Sequence, residues 1–521
     1  MEAWLLLLAC LLIPFVLLLL SQRGAGKTKN GSRIPPGPFA LPVLGSLLWL
    51  RHSSADLEPL LTRLFARHGP VVSLRAGSRL SIYVADRRVA HAALVERGAA
   101  LADRPPATRA LLGESDKTIS RANYGPAWRL LRRNLVSETL HPSRVRLFAP
   151  ARSWVRGVLA DKLLRESDKQ APPRGVMVVE AFRYAMFCLL VLMCFGERLD
   201  EAAVRAIGAA QRDWLMYVAR KTSVFLFWPA VTKHLFRRRL KMGFALRRRQ
   251  KELFLPLIEA RRARKDRISR CAGTAAALKA DTTFEHSYVD TLLDIKLPDE
   301  GGRALTDDEM ANLCSEFLTA GTDATTTALQ WIMAELVKNP RIQENLYNEI
   351  KATTGRREEV TEEEMNKMPY LKAVVLEGLR KHPPGHFVLA HKAAEDIEIS
   401  GYLFPKGATV NFMVAAMGRD EREWQKPTEF VPERFLPGGD GEGVDVTGSR
   451  EIRMMPFGVG RRICAGFGIA MLHLEYFVAV LVKEFEWKEV PGDEVDLAEK
   501  TEFSVVMAKP LRARLVPRGR N

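Results

Sequence analysis

The run Phe457-Gly458-Val459-Gly460-Arg461-Arg462-Ile463-Cys464-Ala465-Gly466 sets three glycines around one cysteine, and a helical pattern follows it to about Glu484. Glycines at 458, 460 and 466 let backbone come close to the sulfur. The N–H groups of such a loop, with the N-terminus of the helix behind it, can stabilise a thiolate. That suits a sulfur meant to ligate a metal. A glycine-rich loop before a helix can also cradle phosphate. This one lacks the Lys-Ser/Thr pair of a phosphate loop, and that reading would leave Cys464 unexplained.

Upstream, Thr306-Asp307-Asp308-Glu309 forms a capping box. It opens a long helix that runs through Phe317 and Trp331 and must stop at Asn339-Pro340. Ala320-Gly321-Thr322-Asp323-Ala324-Thr325 falls in the middle of that helix. A small Ala-Gly pair beside hydroxyls and a carboxylate predicts a local opening over a bound ligand. Glu377-Gly378-Leu379-Arg380 puts acid and base on one face of a helix predicted to end before Pro383-Pro384. Pro432-Glu433-Arg434-Phe435 lies between that pair and Cys464. Trp128 and Arg132 stand one helical turn apart. Residues 56–69 read as a short amphipathic helix, and Val71 to Val84 as a hairpin turning at Gly77-Ser78. Thr361 to Glu364 is a second capping box. Short strands are predicted over 396–410 and 500–516. The body is mainly α with a minor β part.

The chain has 521 residues, 47% of them hydrophobic, and no central linker to divide it. Residues 46–521 therefore read as one catalytic body. Cys10, Cys188, Cys194, Cys271, Cys314 and Cys464 form no C-x-x-C pair and no zinc spacing. They imply free thiols in a reducing compartment. The formal charge of +17 suits anionic membrane surfaces or acidic protein partners. No nucleic-acid-binding motif accompanies it. Basic runs at 237–239, 247–249 and 261–267 read as a solvated helix face. Ala3 to Leu20 carry no charge and would span about 27 Å as a helix, close to a membrane's hydrocarbon thickness. No basic region precedes them and no small-residue cleavage site follows, so residues 1–20 read as an uncleaved transmembrane anchor. Arg23, Lys27, Lys29 and Arg33 follow, keeping that flank cytosolic. Residues 21–45 join this flank to a proline-rich hinge, Pro35-Pro36-Gly37-Pro38 and Pro42, expected to be stiff and extended.

These motifs together resemble the cytochrome P450 superfamily. The cysteine run matches F-x-x-G-x-R-x-C-x-G at every specified position, and the likeness extends over the whole chain, anchor and hinge included. It looks like a plant microsomal member of the 71 clan, most similar to family 89. The resemblance implies the P450 fold behind a single N-terminal transmembrane helix, with haem b as cofactor. It makes Cys464 the axial ligand, donating electron density into iron and favouring O–O cleavage. It makes Phe457 the ring near the sulfur. Arg462, Trp128, Arg132 and His391 become propionate partners. Glu377, Arg380 and Arg434 become a structural clamp. Asp323 and Thr325 are the candidate catalytic residues of proton delivery. Here the chain departs from the pattern (A/G)-G-x-(D/E)-T-(T/S), because position 324 carries Ala where the family has Thr. Either Thr325, a water or a substrate hydroxyl takes over, or nothing does and the cycle leaks peroxide.

The implied activity is insertion of one oxygen atom of O2 into a lipophilic small molecule. NADPH–cytochrome P450 reductase would supply electrons, at the cytosolic face of the endoplasmic reticulum membrane and in contact with its lipids. Phe387, Val388 and Phe503 are candidate pocket walls. An isomerase or dehydratase of lipid hydroperoxides fits Ala324 but not the intact cysteine loop. A non-catalytic haem-binding protein would not consume NADPH. The topology is open to test, because Asn30-Gly31-Ser32 is a glycosylation sequon. Asn30 is expected to stay unmodified in microsomes, with no change of mass on endoglycosidase treatment; a glycan there reverses the orientation.

Overall fold

The computed structural model describes residues 33–38, 57–76, 79–106, 111–113, 115–168, 175–226, 229–270, 284–355, 357 and 359–518. The anchor at 1–20, the sequon, Cys10, Cys271, the Gly77-Ser78 turn and most of residues 21–45 lie outside them. Among the described residues, no helix is long and apolar enough to cross a membrane. They form two compact units, one built from the chain up to 106 with 386–417 and 445–463, the other from the remainder.

The first unit is organised by four strands, β1 (Val71–Ala76), β2 (Arg79–Val84), β3 (His391–Lys392) and β4 (Thr409–Phe412), in the order β1-β2-β4-β3. β1 and β2 form the expected antiparallel hairpin, with Val71 opposite Val84. β4 runs parallel to β2, and β3 antiparallel to β4 with His391 opposite Val410. Alternation along β2 buries Leu80, Ile82 and Val84, as a half-buried strand requires. Helix α1 (Leu57–His68) packs Leu61 against Val72, Leu74 and Met413. The described hinge residues are docked on this unit. Ser73 donates from N to Pro36 O (2.8 Å) and from Oγ to Pro35 O (2.7 Å). A Cβ on Gly37 would stand 1.9 Å from Ser73 O, so only glycine lets the strut lie so close.

The second unit is mainly helical: α2 (Pro126–Asn134), α3 (Val179–Phe195), α4 (Glu201–Lys221), α5 (Arg237–Arg270), α6 (Asp307–Lys338), α7 (Pro369–Lys381) and α8 (Phe467–Glu484). The α6 capping box is formed as expected. Thr306 Oγ1 accepts from Glu309 N (3.2 Å), and Glu309 Oε2 from Thr306 N (2.8 Å). Arg303 also grips Glu309, holding its carboxyl down at about 2. The Thr361–Glu364 box is formed too.

The expected opening of α6 is not found; the helix is unbroken from Asp307 to Lys338. Gly321 has a packing reason instead. A Cβ there would stand 2.8 Å from Leu190 Cδ1 on α3, so its absence lets the two helices approach. α3 is apolar nearly all round, and its length is buried accordingly. The basic stripe on α5 is likewise not only a solvated face. Arg247 and Arg261 turn inward, and Arg261 pairs with Asp290 through Nε (2.8 Å) and Nη2 (2.6 Å). The minor β part pairs Phe485–Lys488 with Arg512–Pro517, and adds a hairpin of Glu499–Thr501 with Val505–Met507.

The clamp implied by the motifs is present. Glu377 on α7 takes Arg380 Nε at Oε2 (2.6 Å) and Arg434 Nε at Oε1 (3.1 Å), with all three buried. Asp440 adds a second carboxylate, 2.9 Å from Arg434 Nη1. Both guanidiniums lie over the Trp424 ring, at 5.4 and 5.9 Å. Removing one charge from a buried set leaves the others uncompensated. Glu377→Gln is therefore expected to cost about 3 kcal/mol or more, read as a lowered midpoint in urea unfolding.

Candidate active site

The loop before Cys464 is shaped by two left-handed glycines, Gly458 (φ 67) and Gly460 (φ 72). A Cβ on Gly460 would stand 2.0 Å from Leu94 O, so no other residue fits there. Gly458 N donates to Met455 O and Ile463 N to Gly460 O, closing two tight turns. Cys464 comes just before α8, whose N-cap is Gly466. Its side chain is exposed, whereas Cys188, Cys194 and Cys314 are buried. Enough protein surrounds the sulfur for burial to push the thiol up, while the Gly466 N–H and the Arg132 charge pull it back toward thiolate. A Cβ on Gly466 would make only ordinary contact with Sγ, at 3.9 Å.

The first unit gathers positive charge around His391. His391 Nδ1 meets Leu101 O at 2.7 Å, and its ring stands edge-on to Phe412. Burial, then Arg104 and Arg462, drive its pKa down to about 3. The imidazole is thus neutral near pH 7, with its proton on Nδ1 facing the carbonyl. Arg462 Nε donates to Ala102 O (2.7 Å), and Arg104 Nη1 to Leu389 O (2.6 Å) and Ala390 O (3.0 Å). Arg104 carries no motif in the sequence, and only the fold brings it beside His391. Phe457 is half-buried. Phe387 is partly buried, edge-on to Tyr83 at 6.2 Å and packed against the Leu61 cluster. Val388 packs on the larger core of the same unit, while Leu389 is exposed.

In the second unit, Arg132 lies over the Trp128 ring at 5.6 Å. The indole Nε1 donates to Ile119 O (2.8 Å), so that N–H has a partner within the protein. Glu316 on α6 accepts from Ile119 N and Ser120 N, both at 2.7 Å, and fastens this loop to the helix. Beyond Glu316, Ala320 is exposed and Gly321 and Ala324 half-buried, whereas Thr322, Asp323, Thr325 and Thr326 are buried. The open stripe of α6 therefore carries no hydroxyl at 320, 321 or 324. Asp323 Oδ2 accepts from Ser504 Oγ (2.5 Å), and its Oδ1 is 3.9 Å from Arg212 Nη1. Phe503, beside Ser504, is exposed.

A family model for cytochrome P450 matches residues 35–515. The chain belongs to the cytochrome P450 family. It is 45% identical to Cytochrome P450 89A9 of Arabidopsis thaliana, over 93% of this chain and 94% of that protein. It is 31% identical to Cytochrome P450 98A1 of Sorghum bicolor over 99% and 97%, and 29% identical to a Flavonoid 3'-monooxygenase of Arabidopsis thaliana over 97% and 96%. The kinship with family 89 of the plant 71 clan expected from the motifs is borne out. Among solved structures, a retinoic acid bound cyanobacterial CYP120A1 superposes with a TM-score of 0.74 at 22% identity, covering 94% of this chain and 100% of that one. That likeness shows the fold.

This P450 is a monooxygenase with a haem-thiolate cofactor, a redox partner and a small-molecule substrate. Its residues fit that cofactor. An exposed thiol with an amide donor on its sulfur suits an axial thiolate. Two arginines around an imidazole suit propionate carboxylates. Glu316, Arg212 and Ser504 escaped the sequence reading, because their partners lie far off in the chain. Glu316 holds its loop by two bonds to one charged group. Glu316→Ala is expected to raise amide exchange at Ile119 and Ser120 by about tenfold, read by hydrogen exchange on peptides covering 115–125.

Proposed function

We propose that this P450 inserts one oxygen atom of O2 into a lipophilic small molecule, with electrons from NADPH passed on by a P450 reductase. The observation that carries the reading is Cys464, exposed where the other described cysteines are buried, under a glycine-shaped loop and at the head of α8. Haem b, when bound, supplies the activation of O2. The chain's own residues hold it and manage protons. Cys464 would hold its iron through the thiolate, with Phe457 as the ring near the sulfur. Arg462, Arg104, His391, Arg132 and Trp128 are the residues that would serve its propionates.

Asp323 is the proton carrier. Thr325 is buried and lies about 100° round α6 from Ala324, which argues against its hydroxyl taking the missing place. Exposed Phe503, beside Ser504, offers apolar contact to a lipophilic substrate. The family 89 kinship and the Flavonoid 3'-monooxygenase likeness support oxygen insertion, as does the intact cysteine loop. Ala3–Leu20 and the basic residues after it support a single-pass anchor in the endoplasmic reticulum membrane, with the body on the cytosolic side. The charge of +17 supports contact with anionic lipids and an acidic reductase surface.

Replacing the ligand tests the assignment. Cys464→Ser is expected to abolish the red-shifted Soret band of the ferrous–CO complex while leaving far-UV circular dichroism unchanged. Survival of that band in the variant would overturn Cys464 as the ligand.

A further inference from the structure

Position 324 gives α6 a methyl where the family has a hydroxyl next to its acid. The nearby helix threonines do not make up for it. The hydroxyls of Thr322 and Thr326 are buried without a hydrogen-bond partner among the described residues, so neither serves Asp323. Thr325 is buried as well.

A hydroxyl arrives from another part of the chain. Ser504 sits in the turn of the hairpin formed by Glu499–Thr501 and Val505–Met507. Its Oγ donates to Asp323 Oδ2 at 2.5 Å, and the two residues are only 5% and 8% exposed. The hairpin is fixed in place. Trp331 Nε1 on α6 donates to Val505 O (2.9 Å), and Val505 N donates to Pro384 O (2.8 Å). The other carboxylate oxygen faces a looser network. Arg212 Nη1 is 3.9 Å from Asp323 Oδ1, and Arg212 Nη2 is 3.8 Å from Glu502 Oε2. Arg220 and Lys500 also pair with Glu502, at 3.0 and 3.1 Å, and both are largely exposed. Asp323 thus hangs between one firm buried donor and a string of charges that leads to solvent.

We propose that Ser504 is the positioning residue for Asp323, supplying from the C-terminal hairpin the hydroxyl that Ala324 lacks. The bond to a carboxylate is of the strong, charge-assisted kind and fixes its rotamer. In each transfer Asp323 takes up one proton from the solvent side and gives one up toward the oxygen atom of O2 that leaves as water. The Ser504 O–H turns with it and is unchanged at the end. The inference rests on the monooxygenase reading, in which Asp323 hands on protons.

The test compares wild type with S504A, S504T, D323N and the double variant S504A/A324T, all as haem-loaded full chain. The infrared carboxylate stretch of Asp323, assigned by its loss in D323N, reports the contact directly. Hydrogen peroxide released per NADPH, with reductase and 7-ethoxycoumarin as probe, reports proton delivery. S504A is expected to shift the band and to raise the peroxide ratio by roughly fivefold, the scale of one lost hydrogen bond. S504T should return both to wild type. S504A/A324T should return the peroxide ratio but not the band. A band unmoved in S504A overturns the contact. A moved band with an unchanged peroxide ratio overturns its use in proton delivery. An equal rise in S504T assigns the effect to packing and overturns the proposal too. NADPH left unconsumed by wild type sinks the monooxygenase reading instead, and the band still reports whether Ser504 holds Asp323.

Discussion

A carboxylate with no solvent around it anchors the helical unit. Glu377 is fully buried, and so are the two guanidiniums that neutralise it. Charges in such a place are tolerated only when every partner is present with good geometry. The set therefore reaches across the chain. Arg380 also donates to Gly418 O (2.7 Å) and Pro427 O (3.0 Å), and Val431 N donates to Glu377 Oε1 (2.9 Å). α7 and the loop from 418 to 440 must close on each other before the charges are satisfied. The set commits the chain to one arrangement rather than adding much stability.

Close packing places a similar demand on α6. Gly321 against Leu190, and Gly378 against Ile332, mark points where helices meet without room for a methyl group. α6 is unbroken, and its side chains are sorted by face. One stripe is small and open, and the polar residues beside it are buried. Polar groups so buried need partners, and Asp323 finds one in Ser504 and another, more distant, in Arg212. The chemistry of the distal residues is thus set by which segments reach α6, as well as by the order of residues along it.

Local sequence determined much of this protein. The capping boxes, the helix ends at Pro340 and Pro383, the β1–β2 hairpin and the glycine frame around Cys464 follow from short-range rules of backbone geometry, and the structure has them. Family identity was legible for the same reason, since its marks are short runs. Local sequence is ambiguous where one residue type serves two ends. Gly321 suggested an opened helix and proved to be a packing contact. The arginines of α5 suggested a wet face, and two of them are buried.

What only the tertiary structure decided are the partners distant in sequence: Glu316 with Ile119 and Ser120, Arg104 beside His391, and Ser504 on Asp323. A hydrogen bond or ion pair depends on distance in space, and nothing in the local pattern around Ser504 shows that Asp323 will lie 2.5 Å away. The sequence determined that position 324 has no hydroxyl. Only the fold, by laying the C-terminal hairpin along α6, decided which hydroxyl stands next to its acid.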